Sequence, residues 1–267
     1  MPKLAASDFK RKKAQKERII VLTAYDYFCA RLIQKAGLDA ILVGDSLAMV
    51  ALGYENTLPV TMDEMVHHSK AVRRGAPDMF MIGDLPYEAL RGSPGEALEA
   101  AERFLEEGGC DAVKVEGAYP EALEAVRLMR RKKIEVMGHL GLLPQVLLKD
   151  GKPLKAQGRD PNSARRILDE ARKLAGLEIF SLVLECIPAD LAAELSREHP
   201  FPTIGIGAGP HTDGQILVTD DILGRYDRLK PKHVKQYLNS IELSLEAISK
   251  FKQEVQAGSF PTQAHSF

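Results

Sequence analysis

Acidic and basic residues gather where short apolar runs end: Gly44-Asp45-Ser46, Gly83-Asp84, Lys114-Val115-Glu116-Gly117, Gly138-His139-Leu140-Gly141 and Glu185. If the runs are strands of one sheet, these ends share a face, with neighbouring strands roughly 4.8 Å apart. Asp45, Asp84 and Glu116 then become three oxygen donors from three neighbouring strands. Carboxylates that close repel unless a cation lies among them. Hard oxygen donors without convergent His or Cys point to Mg²⁺ or another divalent cation, which keeps positions open for substrate oxygens. Lys114 and Glu116 stand two apart on one strand and so point to the same side.

Glu185 closes the apolar run Leu182-Val183-Leu184. Apolar surroundings raise a carboxyl pKa, which suits a general base working near neutral pH. A strand-end residue capping the following helix is the plainer alternative for Glu185. His139 is a candidate proton carrier or hydrogen-bond donor, and a structural histidine is its alternative. Gly205-Ile206-Gly207-Ala208-Gly209 invites comparison with phosphate-binding loops, but Pro210 stands where the phosphate-binding helix should open. A tight loop that lets backbone approach closely fits it better.

The elements that must position these groups follow from periodicity. Apolar runs predict strands over Ile19–Ala24, Ala40–Gly44, Met79–Asp84, Ala112–Glu116, Ile134–His139, Leu182–Glu185, Thr203–Gly207 and Ile216–Asp220. Helical patterns lie between them. Thr61 with Glu64 has capping-box spacing, Ser93-Pro94-Gly95-Glu96 opens another helix, and Gly37 stops a third. A long C-terminal helix is predicted over Lys232–Gln256, with Val234, Leu238, Ile241, Leu245 and Ile248 as its apolar stripe. Eight strand-then-helix units predict an α/β fold, a (β/α)₈ TIM barrel, with residues 1–267 forming a single domain. A doubly wound sheet is the alternative. Long segments after the second strand (Gly53–Pro59) and the fifth (Leu142–Arg159) lie on the predicted catalytic face.

Composition narrows the partners. Of 267 residues, 45% are hydrophobic and 27% charged, and 36 Lys and Arg stand against 37 Asp and Glu. That is the profile of a soluble globular protein, with no basic excess for nucleic acid. Cys29, Cys110 and Cys186 form no CxxC pair, so neither a zinc knuckle nor a redox motif is read. No apolar run approaches the ~18 residues of a membrane helix. Lys10, Arg11, Lys12 and Lys13 are read as a solvated basic leader, and a cytoplasmic location is expected.

Taken together, Val43-Gly44-Asp45-Ser46, Thr57-Leu58-Pro59-Val60-Thr61, Gly83-Asp84-Leu85-Pro86, Val113-Lys114-Val115-Glu116-Gly117, Gly138-His139-Leu140-Gly141-Leu142, Leu184-Glu185-Cys186 and Gly205–Gly209 resemble the ketopantoate hydroxymethyltransferase family, as does Asp213-Gly214-Gln215-Ile216-Leu217-Val218. The resemblance runs from about Thr23 to Leu223. It implies a Mg²⁺-dependent barrel, commonly a decamer, that transfers a hydroxymethyl group from 5,10-methylenetetrahydrofolate to α-ketoisovalerate on the way to pantothenate. It also implies Asp45 and Asp84 as metal and substrate contacts, with Glu116 as the third carboxylate around the metal. Ser46 and Lys114 are implied as binders of the keto-acid carboxylate, and Glu185 as the catalytic base. Leu148-Lys149-Asp150-Gly151-Lys152 departs from the Gly-rich stretch that the family places before Gln157-Gly158-Arg159. The competing readings are a Mg²⁺-dependent 2-oxo-acid carbon–carbon lyase of the isocitrate lyase and PEP mutase group, and a non-catalytic keto-acid-binding barrel. Such lyases carry a reactive cysteine in a Lys-Cys-Gly-type loop, which this sequence lacks.

Overall fold

In the computed structural model, which describes residues 3–267, eight parallel strands close into a barrel in sequence order. They are β1 (Ile19–Thr23), β2 (Ala40–Val43), β3 (Phe80–Asp84), β4 (Ala112–Glu116), β5 (Glu135–Gly141), β6 (Ser181–Glu185), β7 (Thr203–Ile206) and β8 (Gly214–Leu217). β8 pairs with β1 through Ile19–Leu22, which completes the (β/α)₈ TIM barrel.

Side-chain alternation divides the core into two layers. Ile19, Val21, Ala40, Leu42, Phe80, Ile82, Ala112, Met137, Val183, Ile204 and Ile216 fill the barrel interior. The alternate residues, among them Ile41, Val43, Met81, Val113, Val115, Val136 and Leu184, pack outward in a layer with the helices. The inward phase continues to the strand ends. Ile82 in the interior puts Asp84 inward, Ala112 puts Lys114 and Glu116 inward, Met137 does the same for His139, and Val183 for Glu185.

The helix signals act as read. Thr61 accepts from Glu64 N and Ser93 from Glu96 N, each completing a capping box, and Gly37 ends its helix at φ 74°. The basic leader differs from expectation. Ala6–Gln15 is a helix, and Phe9 is fully buried against Phe80 and Phe180, with ring centroids 5.1 and 5.3 Å away. Lys12 pairs with Asp39, and Lys13 with Asp213 and two backbone carbonyls, so these cations neutralise partners instead of standing in water. One aromatic ring, inserted at the open N-terminal end of the barrel, converts a basic segment into part of the core.

β8 begins two residues earlier than predicted and ends before Asp220. Gly214 enters the barrel where a Cβ would lie 2.3 Å from Ile19 O, so only glycine fits the β1–β8 junction. A first compact unit ends at Val218 and a second covers Thr219–Phe267. In the second, Thr219–Leu223 is a short helix and the long helix spans Ser240–Gln256, eight residues later than its predicted start. Tyr237 N and Leu238 N donate to Ile222 O, backbone pairing that a helix over 232–239 would forfeit. Leu238, Leu245 and Ile248 of the expected stripe are exposed, and the long helix has no buried side chain. No helix among the described residues is long and apolar enough to cross a membrane.

Candidate active site

The strand register sets Asp84 beside a cation and Glu116 beside a histidine, and it brings a glycine against Glu185. Asp84 stands opposite Lys114 across β3 and β4, Glu116 opposite His139 across β4 and β5, and Gly141 opposite Glu185 across β5 and β6. Gly141 has φ 103°, and a Cβ there would meet Glu185 O at 2.2 Å, so the absence of a side chain lets β5 reach the strand that carries Glu185.

Lys114 Nζ lies 2.7 Å from Asp84 Oδ1, both groups being fully buried. Burial raises the Asp84 carboxyl to about 7, helped by the charge of Asp45, while Lys114 pulls it down. Burial acts to lower the Lys114 ammonium, but Asp84, Asp45 and Glu116 outweigh it and hold the amine protonated. Asp84 Oδ2 accepts from Asp45 N at 3.1 Å, and the Asp45 carboxylate accepts from Gln145 Nε2 at 2.9 Å. Glu116 Oε1 accepts from Gln145 N at 3.0 Å, at the start of the helix Pro144–Lys149.

His139 lies between two carboxylates, with Nε2 3.2 Å from Glu185 Oε2 and Nδ1 3.6 Å from Glu116 Oε2. Burial and Lys114 act to lower its pKa, yet Glu116 and Glu185 prevail and raise it to about 9. Asp84 Oδ1 and His139 Nε2 are buried polar atoms with no hydrogen-bond partner among the described residues. Each nevertheless has a charged neighbour, Lys114 Nζ at 2.7 Å and Glu185 Oε2 at 3.2 Å. Ser46 Oγ is 2.8 Å from the hydroxyl of Tyr25, which is buried just after β1.

Of the seven residues singled out from the sequence, Asp84, Glu116 and Glu185 end β3, β4 and β6, Asp45 and Ser46 lie just past β2, and Lys114 and His139 stand two residues before the ends of β4 and β5. The structure brings Asp45 and Asp84 together, and it engages Glu116 with the backbone of 145–146 and with His139. Among the described residues, no three His, Cys, Asp or Glu side chains are disposed to hold a metal ion. Mg²⁺ commonly takes only one or two protein carboxylates and completes its shell with substrate oxygens and water. Asp45 together with Asp84, two carboxylates side by side at the barrel mouth, fits that pattern.

Two residues escaped the sequence reading. Tyr25 follows the same rule of polar residues at strand ends, applied to β1. Gln145 lies in the segment read only as a long loop, where Pro144 marks a helix start. The Gly205–Gly209 turn holds Gly207 and Gly209 at positive φ, and a Cβ on Gly209 would crowd Ala189 at 2.5 Å. Burial raises the Cys186 thiol to about 11, so it carries no thiolate near neutral pH.

Residues 3–263 match the family described as ketopantoate hydroxymethyltransferase. A 3-methyl-2-oxobutanoate hydroxymethyltransferase of Thermus thermophilus is 52% identical over 260 residues, covering 97% of this chain and 98% of the relative. The enzyme of that name from Syntrophomonas wolfei is 45% identical, covering 100% and 96%. Among solved structures, a phosphonopyruvate hydrolase in complex with oxalate and Mg²⁺ superposes with a TM-score of 0.63 at 10% identity, covering 98% of this chain and 93% of that one. At that identity the likeness is one of fold.

Proposed function

The chain belongs to the ketopantoate hydroxymethyltransferase family and is a hydroxymethyltransferase; from that premise we propose that it transfers a hydroxymethyl group from 5,10-methylenetetrahydrofolate to 3-methyl-2-oxobutanoate. The product is 2-dehydropantoate, a precursor of pantothenate and coenzyme A. The observation that carries this reading is the inward row formed by Asp84, Lys114, His139 and Glu185. It sets a fixed cation, a cation-binding carboxylate and a candidate base around one end of the barrel.

Asp45 and Asp84 would hold Mg²⁺ or another divalent cation, with Glu116 contributing charge from behind His139. When bound, the ion polarises the 2-oxo group, which makes the C3 hydrogen of the substrate acidic. A phosphonopyruvate hydrolase of this fold, solved with oxalate and Mg²⁺, supports a small dicarbonyl ligand beside such a cation. Lys114, kept protonated by its three acidic neighbours, and Ser46, oriented by Tyr25, would bind the substrate carboxylate. Glu185 takes the C3 proton on its carboxylate. His139, charged near neutral pH, aims that carboxylate from 3.2 Å away. The carbanion equivalent left at C3 bonds to the methylene carbon supplied by the folate, whose two C–N bonds break. Water supplies the hydroxyl oxygen, and tetrahydrofolate leaves with the C3 proton and one proton of that water on its two nitrogens.

Cys186, held as a thiol, supports the transferase over the lyase reading. The exposed Leu243, Leu245, Ile248, Phe251 and Val255 of the Ser240–Gln256 helix support a homo-oligomer, since so continuous an apolar row is normally covered. The deciding experiment is ketopantoate formation from 3-methyl-2-oxobutanoate and 5,10-methylenetetrahydrofolate, with and without EDTA. Losing the ion should cost several kcal/mol of transition-state stabilisation, a fall on the order of 10³-fold that added Mg²⁺ restores. Full turnover in metal-free buffer would sink the metal-assisted mechanism.

A further inference from the structure

The segment joining β5 to the helix Pro161–Ala175 is fastened beside Glu185 at both ends. Leu142 N donates to Glu185 O at 2.8 Å, and Gln157 N donates to Cys186 O at 3.0 Å. Between these anchors, Gln145 is buried to 2% exposure at the second residue of the helix Pro144–Lys149. Its backbone N–H reaches Glu116. Its carboxamide nitrogen spends both hydrogens inside the barrel mouth, one on Asp45 Oδ2 at 2.9 Å and one on Leu85 O at 3.2 Å. Leu85 follows Asp84, so one amide ties the β2 acid to the backbone beside the β3 acid.

We propose that Gln145 is a positioning residue that fixes the Asp45 carboxylate for the cation, so that the β5 segment sets the geometry of acids borne on other strands. The choice of an amide has a physical reason. A lysine or arginine at this position would orient Asp45 equally well but would cancel the charge that attracts a cation. A neutral donor orients one oxygen and leaves the full negative charge in place. Gln145 itself is buried and both its amide hydrogens are engaged, so the donor is held in place before any ligand arrives.

The inference rests on the reading that Asp45 helps to hold a divalent ion, and its test separates the two. Mn²⁺ binding is followed by loss of the free-ion electron paramagnetic resonance signal, for the unaltered chain and for Gln145→Met, which keeps the length and loses the donor. Circular dichroism establishes that the variant is folded. Expected is a Mn²⁺ dissociation constant raised about 10- to 100-fold, as when an orienting partner of a metal ligand is lost. Mn²⁺ affinity equal to that of the unaltered chain in a folded Gln145→Met protein would overturn the proposal while leaving the metal reading intact. No Mn²⁺ binding by the unaltered chain would instead refute the metal reading, and this inference with it. Gln145→Leu takes over if the methionine variant does not fold. Failure of both to fold would make the role of Gln145 structural and overturn the proposal.

Discussion

At the N-terminal end of the barrel, Phe9 packs with Phe80 and Phe180, and Lys13 joins Asp213 and two carbonyls, so that buried surface is mainly apolar. At the C-terminal end, the same barrel buries Asp84, Lys114, Glu116 and His139 together, as an ion pair and a histidine between two carboxylates. The C-terminal end concentrates acids and bases that shift one another's proton affinities, Asp84, Lys114 and His139 among them. Gathering buried charges costs stability, and strongly shifted proton affinities of this kind cluster at functional sites. One end therefore carries stability and the other carries chemistry, and the two should respond separately to substitution.

The sharpest way to break that division is at Phe9. Phe9→Ala should lower unfolding free energy by about 3–5 kcal/mol, as for other buried aromatic truncations, with turnover per folded molecule unchanged. Urea denaturation and an active-fraction assay measure the two separately. A large loss of turnover with stability intact would show that the ends are coupled.

Glu185→Gln should do the opposite. Exchange of the substrate C3 hydrogen with deuterated water, followed by proton NMR with folate omitted, should fall by a factor on the order of 10². Keto-acid and metal binding should persist, because the metal-holding acids stand on other strands. Loss of both exchange and binding would make Glu185 a ligand-holding residue and not a base.

The smallest effect is a pH dependence that belongs to the catalytic end alone. His139 rises from 6.5 to about 9 on folding, so its protonation favours the native state. That contribution is complete below pH 6.5 and is lost as pH rises through about 9. The raised value is what remains after burial and Lys114 have opposed Glu116 and Glu185. In metal-free buffer, the melting temperature of the unaltered chain should exceed that of His139→Gln by a gap that narrows across this window. A gap that stays constant across it would mean that His139 folds with its ordinary proton affinity.

The barrel was legible because each strand is a short apolar run between helices with capping residues of their own. Period-two alternation also carried the inward phase from Ile82 to Asp84 and from Ala112 to Lys114 and Glu116. Three features were not legible. Phe9 is a lone aromatic residue in a basic run, and nothing local marks the barrel opening that it fills. The residues before Ser240 keep helical spacing, but their amides pair with Ile222 instead. Gln145 reaches Asp45 across 100 positions of sequence.

The sequence by itself determined the order of strands, the face each residue takes and hence which side chains meet at the C-terminal end, because those follow from local periodicity. Tertiary structure alone decided how those side chains share protons and donors: that Asp84 takes Lys114, that Glu116 faces Gln145 and His139 while Asp45 stays with Asp84, and that a distant amide orients Asp45. Proton affinity and carboxylate orientation depend on distances of a few ångströms and on the exclusion of water, and neither exists until the barrel has closed.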